Sequence, residues 1–125
     1  MGKSSHPLNI LVLDDNMQIT RVVRKMLSQL KHTSIEFNIP DDAVDYYRNH
    51  FRDVDLIISD IMMPHFDGID FYNKLKMINE DIKIIFISGY TKTNDFRVLN
   101  TIDNCIFIPK PFKLSDIKKG IDSLL

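Results

Sequence analysis

The stretch Leu56-Ile57-Ile58-Ser59-Asp60-Ile61-Met62-Met63-Pro64 decides how the rest of the chain is organised. Its first half is a short apolar run bounded by turn-forming residues, which is typical of a strand buried on both faces of a sheet. The run ends abruptly in the carboxylate of Asp60, and Pro64 then breaks it. A charge at the end of such a strand lies at the edge of the sheet, where it can meet water, metal or substrate. Because aspartate is also common in turns, this position alone does not exclude the possibility that Asp60 merely starts a turn.

The composition is that of one globular domain with no strong electrostatic preference. The chain has 125 residues, 44% of them hydrophobic and 26% charged, with a net charge of −1. This balance gives no reason to expect direct binding to nucleic acid or to an anionic membrane. No apolar stretch reaches the roughly 18 residues of a membrane span, so we expect no membrane insertion. Cys105 stands alone, which excludes an internal disulfide and is compatible with a reducing cytoplasm. We interpret residues 1–7 as a flexible polar tail and residues 8–125 as the folded domain.

Apolar strands alternate with segments of helical periodicity along the whole chain. The predicted strands are 8–13, 33–39, 55–59, 82–88 and 105–108, and the predicted helices cover approximately 16–31, 40–51, 69–79, 91–102 and 114–124. Five strands alternating with five helices predict a (βα)5 α/β fold, with a doubly wound parallel five-stranded sheet covered on both faces. The strand order 2-1-3-4-5 of flavodoxin-like proteins fits this count and places the topological switch point between strands one and three.

Charged and hydroxyl side chains stand at the ends of four of the five predicted strands. Asp14 and Asp15 end the first strand, Asp60 the third, Ser88 the fourth and Lys110 the fifth. The second strand is the exception. Ligands of such sheets bind beyond the carboxyl ends of the strands, so these side chains would meet in one crevice. Three carboxylates packed together require a counter-ion, and Mg2+, with Mn2+ as an alternative, accepts oxygen ligands of this kind.

Taken together, Asp14-Asp15, Asp60, Ser88-Gly89 and Lys110-Pro111 resemble the signature of the response-regulator receiver domain of two-component signalling. The resemblance covers the chain from Leu8 to its C-terminus. It implies that Asp60 is the phosphoacceptor and that Mg2+ is held by Asp14, Asp15, Asp60 and the backbone carbonyl of Met62. It also implies that Ser88 and Lys110 contact the phosphoryl oxygens and that the Lys110-Pro111 peptide bond is cis.

The same resemblance implies partners and a route for the signal. The phosphoryl donor would be a phosphohistidine on a sensor histidine kinase or a histidine phosphotransfer protein, and the signal would pass to an unknown output protein. Ser88 and Phe107 would form the switch between the two states, and no turnover of an independent substrate is expected. Met62 and Tyr90 stand where the family tunes the access of hydrolytic water. Both side chains are bulky and neither is acidic, so we predict slow loss of the phosphoryl group.

Three other functions compete with this interpretation. A receiver-like module could bind partners through its last two helices without phosphorylation, although the intact acidic and lysine positions favour a phosphoacceptor. A flavin or nucleotide protein would need a phosphate cradle after the first strand, where Asp14-Asp15 would repel the phosphate. A phosphatase of the haloacid-dehalogenase type would need a second carboxylate two residues after its nucleophile, and Met62 occupies that position.

Overall fold

The computed structural model describes residues 6–89, 94–99 and 101–125, and it arranges them as a five-stranded sheet between two layers of helices. The strands are β1 (Asn9–Leu13), β2 (Thr33–Phe37), β3 (Leu56–Asp60), β4 (Ile84–Ser88) and β5 (Cys105–Pro109). The helices are α1 (Met17–Gln29), α2 (Pro40–His50), α3 (Gly68–Ile78), α4 (Asn94–Leu99) and α5 (Leu114–Leu124), and a 3-10 turn, Phe51–Asp53, follows α2.

The sheet is parallel throughout and has the order β2-β1-β3-β4-β5, which confirms the predicted fold class. Leu13 pairs with Ser59 and Ser88 pairs with Pro109. The strands therefore end nearly level with one another. This register brings the residues after β1, β3, β4 and β5 to a single edge of the sheet, as the sequence predicts.

Each face of the sheet has its own apolar core. Successive residues of β3 point to opposite faces, so Ile57 packs into one core and Ile58 into the other. The first core is covered by α2, α3 and α4, and includes Leu75 and Leu99, which are completely buried. The second is covered by α1 and α5, and includes Leu27 and Ile117. Helices on both sides explain why the strands are almost uninterrupted apolar runs.

The second strand is shorter than the sequence predicts. β2 stops at Phe37, and Ile39 is the N-cap of α2, with Pro40 in its first turn. The fixed φ of proline suits the start of a helix, and the residue before a proline favours an extended conformation, so the β-branched side chain of Ile39 does not continue the ladder. Asn38 thus lies between the strand and the helix.

Two helix boundaries also differ from the prediction. Phe51 belongs to the 3-10 turn and not to α2. The predicted fourth helix, 91–102, is observed as Asn94–Leu99, and Ile102 lies beyond it. Residues 91–93 and 100 of that prediction, and residues 1–5 of the predicted tail, lie outside the described part of the chain. Among the described residues, none of the helices has both the length and the apolar character needed to cross a membrane.

Candidate functional site

Three carboxylates converge at the carboxyl edge of the sheet. Asp60 is the last residue of β3, and Asp14 and Asp15 directly follow β1, which is its neighbour. Oxygen atoms of Asp14, Asp15 and Asp60 all lie within 4.8 Å of one another. Asp14 and Asp60 are buried, with 3% and 5% of their surfaces exposed, while Asp15 is open to solvent. The structure thus brings together the three acidic residues that the sequence places at the topological switch point.

Asp60 is held by one backbone donor and one cation. The backbone N–H of Met62 donates to Asp60 Oδ1 at 3.2 Å, and Lys110 Nζ lies 3.6 Å from the same oxygen. Burial raises the pKa of Asp60 above its usual value, and the Met62 N–H and Lys110 only partly oppose this effect. The ionised form of Asp60 is therefore disfavoured by burial, and an added cation would stabilise it.

Burial and a neighbouring negative charge also disfavour the ionised form of Asp14. Its pKa is raised from 3.8 to about 6, chiefly by burial and further by the nearby charge of Asp60, while the N–H of Asn16 acts in the opposite direction. The latter donates to Asp14 Oδ1 at 2.8 Å. Crowded carboxylates that ionise with difficulty are relieved by a hard divalent cation, and an all-oxygen donor set is what Mg2+ prefers. The residues present therefore fit the predicted metal.

Lys110 reaches Asp60 from the end of β5. Its backbone N–H donates to the carbonyl of Ser88 at 3.0 Å, which fixes the end of β5 beside the end of β4. Its aliphatic stem passes Gly89, where an added Cβ would lie 3.9 Å from Lys110 Cβ and Cδ. The Lys110-Pro111 peptide bond is cis, as the resemblance implies. Ser88, itself buried, is the last residue of β4, which is the strand next to β3 and Asp60, so it lies on the same edge of the sheet.

The structure describes two further residues that were predicted to transmit or tune the signal, Phe107 and Met62. Phe107 is partly buried on β5, and its ring centroid lies 5.5 Å from that of Phe86 on β4. The side chain of Met62 is 49% exposed just beyond Asp60. Tyr90 lies outside the described residues, so its predicted role stays a prediction.

Sequence reasoning missed two asparagines that hold the acidic residues. Asn16 caps α1 with its side chain, which accepts from Gln18 N, and its own N–H binds Asp14. Asn38, which follows β2, donates from Nδ2 to the backbone carbonyl of Asp14 at 2.8 Å. From the sequence, Asn16 is predicted only to lie at the start of the first helix, and Asn38 is included in a strand that extends too far. The position of Asn38 could have indicated its role. Like Asp14 and Asp15, it directly follows a strand at the edge of the sheet where ligands bind.

Comparison with known proteins places the whole sheet in one family. Residues 10–122 match the model of the family described as response regulator receiver domain. The chain is 28% identical over 116 residues to the response regulator receiver protein CpdR of Brucella abortus, and the match covers 93% of this chain and 95% of that protein. It is also 28% identical over 116 residues to the sensor kinase CckA of the same organism, but there it spans only 12% of the protein's length.

The fold is shared with solved structures of other proteins. One is the CheX–CheY complex with BeF3 and Mg2+ from Borrelia burgdorferi, which matches with a TM-score of 0.83 at 24% identity and covers 94% of this chain and 89% of the matching chain. At this level of identity, the likeness establishes the fold alone.

Proposed function

The chain belongs to the response regulator receiver domain family of two-component signalling, and we propose that Asp60 is its phosphoacceptor. One observation carries this proposal: Asp60 is buried at a strand end with two further carboxylates around it and the ammonium of Lys110 at 3.6 Å. The donor would be a phosphohistidine on a sensor histidine kinase or a histidine phosphotransfer protein. Receiver domains pair with such kinases and with output proteins, and the output protein of this chain is unknown.

The chemistry is nucleophilic displacement at phosphorus by a carboxylate. An oxygen of Asp60 forms a bond to phosphorus as the phosphorus–nitrogen bond to the donor imidazole breaks, and the electron pair of that bond stays with the imidazole. Asp14, Asp15, Asp60 and the Met62 carbonyl would hold Mg2+, or Mn2+ in its place, which would supply positive charge against the phosphoryl oxygens. Lys110 contributes a second positive charge, and its fixed position beside Ser88 keeps that charge at the site.

Phosphorylation would change the charge balance at the end of β4 and β5. The phosphoryl group adds negative charge and strong acceptor oxygens close to Lys110 and Ser88. Both residues would be drawn toward it, and Phe107, which lies on the same strand as Lys110, would repack against Phe86. Because Phe107 has no hydroxyl, its two states differ by packing and not by exchange of a hydrogen bond. The population of these two states is the signal that an output protein would detect.

Incubation with Mg2+ and acetyl phosphate tests this function without any knowledge of the natural donor. We expect the intact protein to gain the mass of one phosphoryl group, and beryllofluoride with Mg2+ to bind at the same site. Removal of Mg2+ by EDTA should prevent both. Absence of uptake under these conditions would contradict the proposal.

The donor protein would dock on an apolar groove beside Lys110. This groove, of about 430 Å³, is lined on α1 by Ile19, Val22 and Met26 and on the other side by Lys110, Pro111 and Phe112. Since Lys110 both lines the groove and pairs with Asp60, a domain seated there would hold its histidine close to the phosphoacceptor. α1 contains Arg21, Arg24 and Lys25 and no acidic residue, which favours a donor with acidic residues around an apolar patch.

Val22→Asp is expected to slow phosphotransfer from a protein donor by about tenfold or more, because a charge would be buried in the apolar contact. Val22 is 44% exposed in the groove. Uptake from acetyl phosphate should be unchanged, since this small donor needs no docking surface. Val98→Asp, at a valine on α4 that is 40% exposed, is the matched control. Equal slowing with both donors would argue against the groove as the docking surface.

Met62→Asn is expected to shorten the lifetime of the phosphorylated protein by about threefold or more, because an amide can orient the attacking water and a thioether cannot. Tyr90→Ala is expected to act in the same direction. The lifetime is measured as the decay of phosphoprotein after removal of the donor. Met77→Asn, at a methionine that is 89% exposed on α3, serves as the control. Equal lifetimes for Met62→Asn and the wild type would show that Met62 does not limit the access of water.

A further inference from the structure

The end of β2 holds Asp14 at both of its backbone polar groups. The N–H of Asp14 donates to the carbonyl of Phe37 at 3.1 Å, and the carbonyl of Asp14 accepts from Asn38 Nδ2 at 2.8 Å. Phe37 and Asn38 are consecutive residues. The acidic segment after β1 is therefore hydrogen-bonded to the end of the edge strand. Among the described residues, the acidic cluster itself contains no side chain of that strand.

The carbonyl that Asn38 binds belongs to the peptide group between Asp14 and Asp15. Rotation of this peptide plane would turn the backbone of Asp15 and carry its carboxylate away from the other two. The carbonyl lies after β1 and before Asn16, whose own carbonyl is the first acceptor of α1. The bond from Asn38 therefore restrains the orientation of the peptide group that joins two of the three clustered carboxylates.

The side chain of Asn38 binds the carbonyl of Asp14 and does not cap the helix that follows. Asparagine is a favoured N-cap, yet the N-cap of α2 is Ile39, one residue later, and it makes no side-chain bond to the helix. The pairing of β1 with β2 does not depend on Asn38 either, because five residue pairs from Asn9 with Thr33 to Leu13 with Phe37 already join the two strands. Neither the helix nor the sheet accounts for the position of this amide.

We propose that Asn38 is a positioning residue for the divalent-metal site, acting on Asp14 and Asp15 through the peptide group between them. This inference rests on the proposed function, because it takes these two carboxylates as ligands of Mg2+. It gives the end of β2 a role in the metal site that is not predicted from the sequence. Loss of the amide donor would remove none of the three carboxylates. It would allow the peptide group between Asp14 and Asp15 to rotate, and the carboxylate of Asp15 would move with it.

Calorimetric titration of the protein with Mg2+ at neutral pH tests the inference. Asn38→Ala is expected to raise the dissociation constant for Mg2+ about tenfold, the lower end of what loss of an outer hydrogen bond costs a metal site. Asn79→Ala is the matched control, because Asn79 Nδ2 donates to the hydroxyl of Tyr47 at 3.0 Å, well away from the acidic residues. The control should bind Mg2+ like the wild type. Thermal unfolding in EDTA shows whether each variant is folded, and Asn38→Leu, which keeps most of the side-chain volume, replaces Asn38→Ala if that variant is not.

Phosphoryl uptake separates a role in metal binding from a general loss of structure. At low Mg2+ the Asn38 variant should accept phosphoryl from acetyl phosphate more slowly than the wild type, and at saturating Mg2+ the two rates should be equal. An unchanged dissociation constant, or a rate that stays low at saturating Mg2+, would overturn the inference and leave the proposed function intact. A wild-type protein with no affinity for Mg2+ would overturn both.

Discussion

Asp60→Asn is expected to abolish phosphoryl uptake from acetyl phosphate, with a fall of at least about a hundredfold in the rate, because an amide is not a nucleophile of comparable strength. The substitution is nearly isosteric, and the amide oxygen can still accept the N–H of Met62 that now binds Asp60 Oδ1. The fold is therefore expected to survive. Intact-protein mass spectrometry after incubation with Mg2+ and acetyl phosphate gives the measurement, and binding of beryllofluoride should be lost in parallel.

Asp70→Asn provides the control for Asp60→Asn. Asp70 is an exposed carboxylate on α3 that pairs with Lys74 at 3.1 Å, so its loss removes a charge without touching the acidic site. This variant should take up phosphoryl like the wild type. Retention of normal uptake by Asp60→Asn, or an equal loss in both variants, would show that Asp60 is not the acceptor.

The contribution of Asp14 to the stability of the metal-free protein is expected to fall as the pH rises from about 4 to about 6. The pKa of Asp14 is 3.8 in its ordinary state and about 6 in the fold, so the folded protein binds this proton more tightly than the unfolded chain. The contribution of Asp14 is fully present below the lower pKa and is lost as the pH passes the higher one, with a magnitude on the order of 3 kcal/mol. Asp60, whose pKa is also raised, acts in the same direction.

Urea denaturation of the wild type and of Asp14→Asn, at several pH values in EDTA, measures this effect. The difference in unfolding free energy between the two proteins should shift in favour of the variant as the pH rises, since the variant has no carboxyl group to ionise at that position. Carboxylates far from Asp14 titrate alike in both proteins and cancel in the difference. Asp60 does not cancel, because Asp14→Asn removes a neighbouring negative charge and eases the ionisation of Asp60, which shifts the difference in the same direction. Added Mg2+ should restore stability to the wild type at neutral pH and much less to the variant. A difference that is independent of pH would contradict the raised pKa of Asp14.

The sheet was predictable because each strand is an apolar run that can be recognised from its own residues. Runs such as Leu56-Ile57-Ile58 are apolar on both faces only if helices cover both faces, which already specifies a parallel α/β sheet. The order of the strands then places the ends of β1 and β3 side by side. The meeting of Asp14, Asp15 and Asp60 follows from that order and needs no knowledge of side-chain packing.

What could not be predicted depends on local geometry that has no periodic signal. The prediction extended β2 to Ile39 because that residue is β-branched, but Pro40 begins a helix and β2 ends at Phe37. Asn38, between the strand and the helix, therefore has a side chain that can bind outside both elements. The bond from Asn38 to Asp14 joins residues far apart in sequence and uses a backbone carbonyl. Any residue type offers such a carbonyl, so no pattern of side chains could indicate it.

The central claim is that the phosphoryl group is carried by Asp60, and chemical mapping of the modified residue tests it most directly. Borohydride reduces an aspartyl phosphate to homoserine, so the protein would be phosphorylated with Mg2+ and acetyl phosphate, reduced, digested and sequenced by mass spectrometry. We predict homoserine at position 60 alone, and none when EDTA replaces Mg2+. Homoserine at Asp14 or Asp15, or an unmodified position 60 in protein that has gained a phosphoryl group, would contradict the account.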